Sequence, residues 1–180
     1  MELNSGFKLI AFPLNSIKDK NFKEITACSL IEVLPGRNQA SSCDANFQRS
    51  LSALAIDGEE CIGDDFPIEP GKGYFVKCDD DTTSTFYGNE ITQPLCLIFE
   101  PGYNLISIPY PQDYHTACSL ISDIPGASEE LSWDANFQKW LSALVIGDEI
   151  CVGDDFFVEL NRGYFTHCNH YVGEWCPGIE

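Results

Sequence analysis

Short alternations of apolar and polar residues, interrupted every few positions by Gly, Pro or Asn, run through most of the chain. Leu105-Ile106-Ser107-Ile108 reads as a short buried strand that stops at Pro109, a residue unable to donate to a ladder. Thr116-Ala117-Cys118-Ser119-Leu120-Ile121 fits a short helix, with Thr116 as its N-cap and Pro125-Gly126 as its stop. Residues 131–134 and 137–144 read as two strands around a turn at Ala135-Asn136, although Leu141-Ser142-Ala143-Leu144 also fits a helical turn. Residues 156–159 and 163–167 alternate around Asn161-Arg162, where an earlier stretch has Pro70-Gly71-Lys72, and this predicts a hairpin. The expected fold class is mainly β (α+β): one short helix against a small antiparallel sheet or barrel, occurring twice.

The doubling comes from an internal repeat. Residues 28–78 align with 118–168 at a constant offset of 90 with no gap, and 28 of the 51 positions are identical. Asp44-Ala45-Asn46-Phe47-Gln48 recurs from Asp134, Gly63-Asp64-Asp65-Phe66 from Gly153, and Gly73-Tyr74-Phe75 from Gly163. Upstream the offset becomes 96, matching the stretch from Gly6 to that from Gly102. Two tandem modules are expected, residues 1–98 and 99–180.

Charge removes several classes of function. The chain carries 10 Lys+Arg against 28 Asp+Glu, a net charge of −18. A nucleic-acid binder needs a basic footprint, and an anionic membrane surface would repel this protein. No apolar run is long enough to span a bilayer. The charge is unevenly divided: residues 1–98 hold 8 basic and 15 acidic groups, and residues 99–180 hold 2 and 13. A partner of the second module should therefore be neutral, basic or ion-bridged.

There are nine Cys and no C-x-x-C pair, which removes zinc ribbons and thioredoxin-like sites and leaves a disulfide framework formed in an oxidising compartment. The first fifteen residues lack a basic n-region and a long apolar stretch, so they are not expected to be a signal peptide; an exported protein would already have lost its signal. Cys28, Cys61, Cys78 and Cys96 correspond in order to Cys118, Cys151, Cys168 and Cys176. Pairing nearest neighbours predicts Cys78–Cys96 and Cys168–Cys176, which leaves Cys28–Cys61 and Cys118–Cys151. Cys43 has Trp133 as its counterpart and is left without a partner. It is either a buried, inert thiol or a link between chains, and the inward register transferred from Leu131 and Trp133 favours the buried thiol.

Asn104-Leu105-Ile106-Ser107, Trp133-Asp134, Gly153-Asp154-Asp155-Phe156 and Gly163-Tyr164-Phe165 together resemble repeat modules of bacterial and archaeal secreted and cell-surface proteins. The first module departs from the pattern, with Lys8 in place of the Asn and Cys43 in place of the Trp. The resemblance implies a non-catalytic accessory role outside the cell and transfers no catalytic residue.

The residues support the same expectation. G-x-S-x-G, H-E-x-x-H, P-loop and G-x-G-x-x-G patterns are absent, so no catalytic residue and no cofactor is assigned. Asp64, Asp65, Asp154 and Asp155 are weak calcium candidates, but an Asp after Gly commonly caps its own backbone and a turn is favoured. His115, His167 and His170 lie only in the second module; His167 and His170 with Cys168 and Cys176 compose a conceivable metal set, against which a disulfide with surface histidines is favoured. Trp133 is expected in the core. Trp140, which replaces Ser50, and Trp175 are candidates for contact or sugar stacking. The expected function is a secreted structural or adhesive subunit of a filament, surface layer or matrix. Its partners would be its own copies or other surface proteins, with no nucleic acid and no membrane insertion. The alternative is a carbohydrate-binding module with glycan as partner; an enzyme or inhibitor ranks last.

Overall fold

The computed structural model describes residues 2–3, 5–18, 23–34, 36–56, 60–91, 95–109, 116–147 and 150–177. The first half runs β1 (Glu2–Leu3), β2 (Gly6–Ala11), β3 (Leu14–Lys18), α1 (Ala27–Val33), β4 (Arg37–Asp44), β5 (Arg49–Ile56), β6 (Glu60–Gly63), β7 (Gly73–Cys78), β8 (Thr82–Thr83) and β9 (Tyr87–Glu90). The second runs β10 (Leu97–Phe99), β11 (Gly102–Ile106), α2 (Ala117–Asp123), β12 (Ala127–Asp134), β13 (Lys139–Ile146), β14 (Ile150–Gly153), β15 (Tyr164–Cys168) and β16 (Gly173–Trp175). The protein is mainly β, with antiparallel sheets and three disulfides.

Both helices start in the same way. Thr26 and Thr116 accept from the backbone N–H of Ser29 and Ser119, whose hydroxyls accept in return from the threonine N–H. Such a box satisfies donors that a two-turn helix would otherwise leave open, and contributes about 1 kcal/mol. The aspartates of the repeated Gly-Asp-Asp-Phe complete the cap: Asp65 and Asp155 accept from the N–H of Cys28 and Cys118, each at 2.9 Å. Asp64 and Asp154 accept from the Ser52 and Ser142 N–H groups. Gly63 and Gly153 hold φ near 100°, where a Cβ would collide with the carbonyl oxygen of Ser52 or Ser142. These four aspartates therefore cap a helix and brace a turn rather than converge as calcium ligands.

Two five-stranded sheets form, ordered β2-β7-β4-β5-β6 and β11-β15-β12-β13-β14. Each places its late strand, β7 or β15, between two early ones. One face of each sheet is covered by its own helix. In the first sheet Tyr74, Val76 and Cys78 alternate inward and pack with Leu30, Ile31 and Ala40 in one core. The second core is in two pieces, one around Tyr164, Leu120 and Cys168 and one around Ala117, Ile121 and Ala143. By register Glu130 stands between them, opposite Ala143 on one side and Thr166 on the other. Glu130, Ser132 and Thr166 are fully buried, and none of their side-chain oxygens has a hydrogen-bond partner. The equivalent residues of the first core are Ala40, Ser42 and Val76.

Several expectations are corrected. Residues 156–159 form no hairpin with 163–167; they run along the helix start, where the Phe156 carbonyl accepts from the Ala117 N–H and the Glu159 N–H donates to the Tyr164 hydroxyl. The strand β15 pairs instead with β11 and β12, and the stretch open to a helical reading is the strand β13. Cys28–Cys61 and Cys118–Cys151 are disulfides, each fastening a helix to an edge strand. Cys78–Cys96 and Cys168–Cys176 are not. Cys96 joins Cys176, while Cys78 and Cys168 stay as thiols because strand alternation turns them into the cores. The β10–β16 ladder puts Leu97 and Ile98 with the second half, across the expected boundary at 98/99. His115 lies outside the described residues. Three disulfides fit an oxidising, non-cytoplasmic compartment, and no helix among the described residues is long and apolar enough to cross a membrane.

Candidate functional site

The second faces of the two sheets meet each other, and the repeated motifs that resemble no catalytic signature build this junction. In Asp44-Ala45-Asn46-Phe47-Gln48 the aspartate side chain accepts from the Phe47 N–H and closes the turn. Gln48 then takes φ 49°, which aims its amide at the other half: Oε1 accepts from the Tyr103 N–H at 2.8 Å and Nε2 donates to the Tyr103 carbonyl at 3.1 Å. Gln138, at φ 50°, does the same to Phe7, at 3.0 and 3.1 Å. Phe7 and Tyr103 are equivalent by the upstream offset. Before each stands a glycine, Gly6 or Gly102, with φ near 97°, and a Cβ there would strike the incoming glutamine. Backbone bonds from Ala11 N–H to the Asn161 carbonyl and from Ser107 N–H to the Gly71 carbonyl, each 3.0 Å, extend the reciprocal contact.

Gly-Tyr-Phe serves three directions at once. Gly73 and Gly163 permit close approach of the halves: a Cβ added at Gly73 would stand 2.7 Å from Leu105 Cδ1, and one added at Gly163 3.1 Å from the Gly73 Cα. Tyr74 and Tyr164 point into the cores and accept from the Glu69 and Glu159 N–H groups. Burial raises both phenols far above their ordinary pKa, so they remain neutral. Phe75 and Phe165 face the junction.

There the two halves stop being equivalent. Trp140 stacks on Phe75 at 5.9 Å and 14°, and meets Trp133 and Phe165 edge to face. Trp133, expected in a core, is only partly buried and donates from Nε1 to the Phe7 carbonyl at 2.8 Å. Its counterpart Cys43 is also partly buried, with Sγ 3.6 Å from the Tyr103 carbonyl oxygen; burial first, then Asp44, pushes its thiol pKa up. Trp140, the candidate for contact or sugar stacking, stacks on this chain's own Phe75, with 45% of its surface still open. Trp175 is no exposed platform: it lies in β16, packed edge to face on Phe99.

Beside Trp140 a cavity of about 280 Å³ opens. Its other wall is a row of hydroxyls: Ser41 and Ser52 are 2.9 Å apart, Ser50 is 3.5 Å from Ser52, and Gln39 donates to Ser41 at 3.2 Å. The sequence reading missed this row. The offset already held the signal, because Ser41 and Ser50 stand where the second half has Leu131 and Trp140. A larger hollow, about 740 Å³, lies between the first sheet and residues 95–106. Asn104 on its wall is fully engaged, pinning the turn at Glu100 and Gly102.

Among the described residues, His167 and His170 do not converge on a metal set. His167 bonds Ser128 at 2.9 Å, and its neighbours Cys168 and Cys176 are a buried thiol and a disulfide half. Among the described residues one trio has metal-ligand spacing, Cys96, Glu174 and Cys176, and its two sulfurs are joined to each other. The chain matches no family model, no curated protein and no solved structure.

Proposed function

We propose that the protein is a secreted, non-catalytic structural or adhesive subunit of an extracellular assembly, working through its surfaces. One observation carries the reading. The edge hairpins β5–β6 and β13–β14 expose the same aliphatic face: Leu54, Ile56 and Ile62 in one, Leu144, Ile146 and Val152 in the other. Ile56 and Ile146 are 54% and 55% exposed. An edge strand with open backbone groups beside apolar side chains is a template for pairing with another chain, and proteins that stay monomeric usually blunt it with charge or Pro. Neither β6 nor β14 has a second strand neighbour among the described residues. Disulfides that staple both edge strands to their helices keep the hairpins ordered while exposed.

Sedimentation velocity over a concentration series tests the reading. The wild type should associate, more so as salt screens the charge of −18. The double variant Leu54→Lys, Ile146→Lys should remain monomeric with an unchanged melting temperature. A wild type that is monomeric at every concentration and salt would refute self-assembly.

A further inference from the structure

We propose that the cavity beside Trp140 binds one neutral sugar residue of a glycan. This goes beyond the assembly reading and does not depend on it. The hollow exists because one half fills its share of the junction and the other does not. Trp140 and Leu131 occupy the second sheet, whereas the equivalent Ser50 and Ser41 are small and polar. Poor packing alone would leave an apolar void. Here the truncated side contributes three hydroxyls and the Gln39 amide, aligned along one wall. Opposite them are rings: Phe75 and Phe165 flank the half-open indole of Trp140.

A wall of rings facing a wall of hydroxyls matches a pyranose, which has an apolar C–H face and a rim of hydroxyls. No charged side chain among the described residues lines the cavity, so it offers a carboxylate, phosphate or amine no ion-pair partner, and the ligand should be neutral. The volume suits a single ring rather than a chain, with neighbouring residues of a glycan passing into solvent. Before binding, a space this roomy and polar holds water, which the sugar hydroxyls would replace at the serines.

The test uses the full chain and four probes, the methyl glycosides of glucose, galactose, mannose and N-acetylglucosamine. Tryptophan indole N–H signals are followed by NMR and assigned with single Trp variants. At least one probe should shift the Trp140 signal saturably. Trp140→Ala and Ser50→Trp, the latter placing on the first sheet the residue of the second, should each weaken binding at least about ten-fold, while Trp175→Ala binds normally. If Ser50→Trp does not fold, the Ser41→Ala, Ser52→Ala pair decides instead, since it removes the hydroxyls and adds no bulk. No saturable shift with any probe, or unchanged affinity in the cavity variants, would overturn the proposal and leave the cavity a water-filled seam.

Discussion

At the scale of the residue, Glu130 is the sharpest anomaly. It sits in a core position that the equivalent sheet fills with Ala40, and both its oxygens lack partners. Burial raises its pKa from 4.5 to about 8, against the lowering influence of the neighbouring Thr166 hydroxyl, and Glu129 raises it further. The folded state therefore holds a proton near neutrality that the unfolded chain has released. Stability contributed by this group is complete below pH 4.5, falls as pH rises, and is gone above about pH 8. Glu130→Gln copies the protonated shape without the ionisation. It should match the wild type in denaturant at pH 4 and be clearly more stable at pH 9. Parallel stability curves for the two proteins would show that the carboxyl is not held neutral. The same core pushes the Cys168 thiol up to about 11, by burial and then by Glu130, so this thiol should resist alkylation in the folded protein.

At the scale of the element, each helix is two turns long and could not persist alone. What holds it is the cap, the aspartate behind the cap, and the disulfide to an edge strand. Removing the second staple with Cys118→Ser, Cys151→Ser opens a constraint between residues 33 apart. The loss should be roughly 3–4 kcal/mol. Hydrogen exchange should rise first in β14, the edge strand that the staple holds, and less in β12, which lies inside its sheet. Uniform loss of protection across both strands would mean that the staple supports the whole sheet. Both helix starts were legible in the sequence, because a Thr followed by Ser at the third position acts over one turn. The strand order was not. Residues 156–159 alternate like a strand, but alternation cannot say that the adjacent helix start will claim their carbonyl groups.

At the scale of the whole molecule, the two halves are joined by the reciprocal glutamine clamp, while Cys96–Cys176 fastens β10 to β16 within the second half. The clamp bonds are partly open to water, so Gln138→Ala should cost only about 1–2 kcal/mol. Gly6→Ala should cost more, because it strains a left-handed backbone and drives a Cβ against the Gln138 side chain at 2.9 Å. Combined, the two changes should cost less than their sum, since removing the glutamine removes the collision. Equilibrium denaturation of the three variants reads this directly. Strict additivity would show that Gly6 and Gln138 do not act together.

What the sequence determined by itself is whatever acts over a few residues or repeats at a fixed offset: β-rich character, two capped helices and the internal repeat; Cys28–Cys61 and Cys118–Cys151 were reached only as the remainder of two pairings that do not form. Even the burial of Cys78 was readable from its alternation with Tyr74 and Val76, had that weighed more than nearness to Cys96. The tertiary structure alone decided which distant groups meet. It set Cys96 beside Cys176 across 80 residues, turned Gln48 and Gln138 from turn residues into a clamp, and made the serines of one sheet and the tryptophan of the other two walls of a single cavity. The reason is physical. Caps and alternation carry their energies within a turn or a strand, whereas a contact between halves depends on the relative placement of two separately formed sheets, which no local pattern encodes.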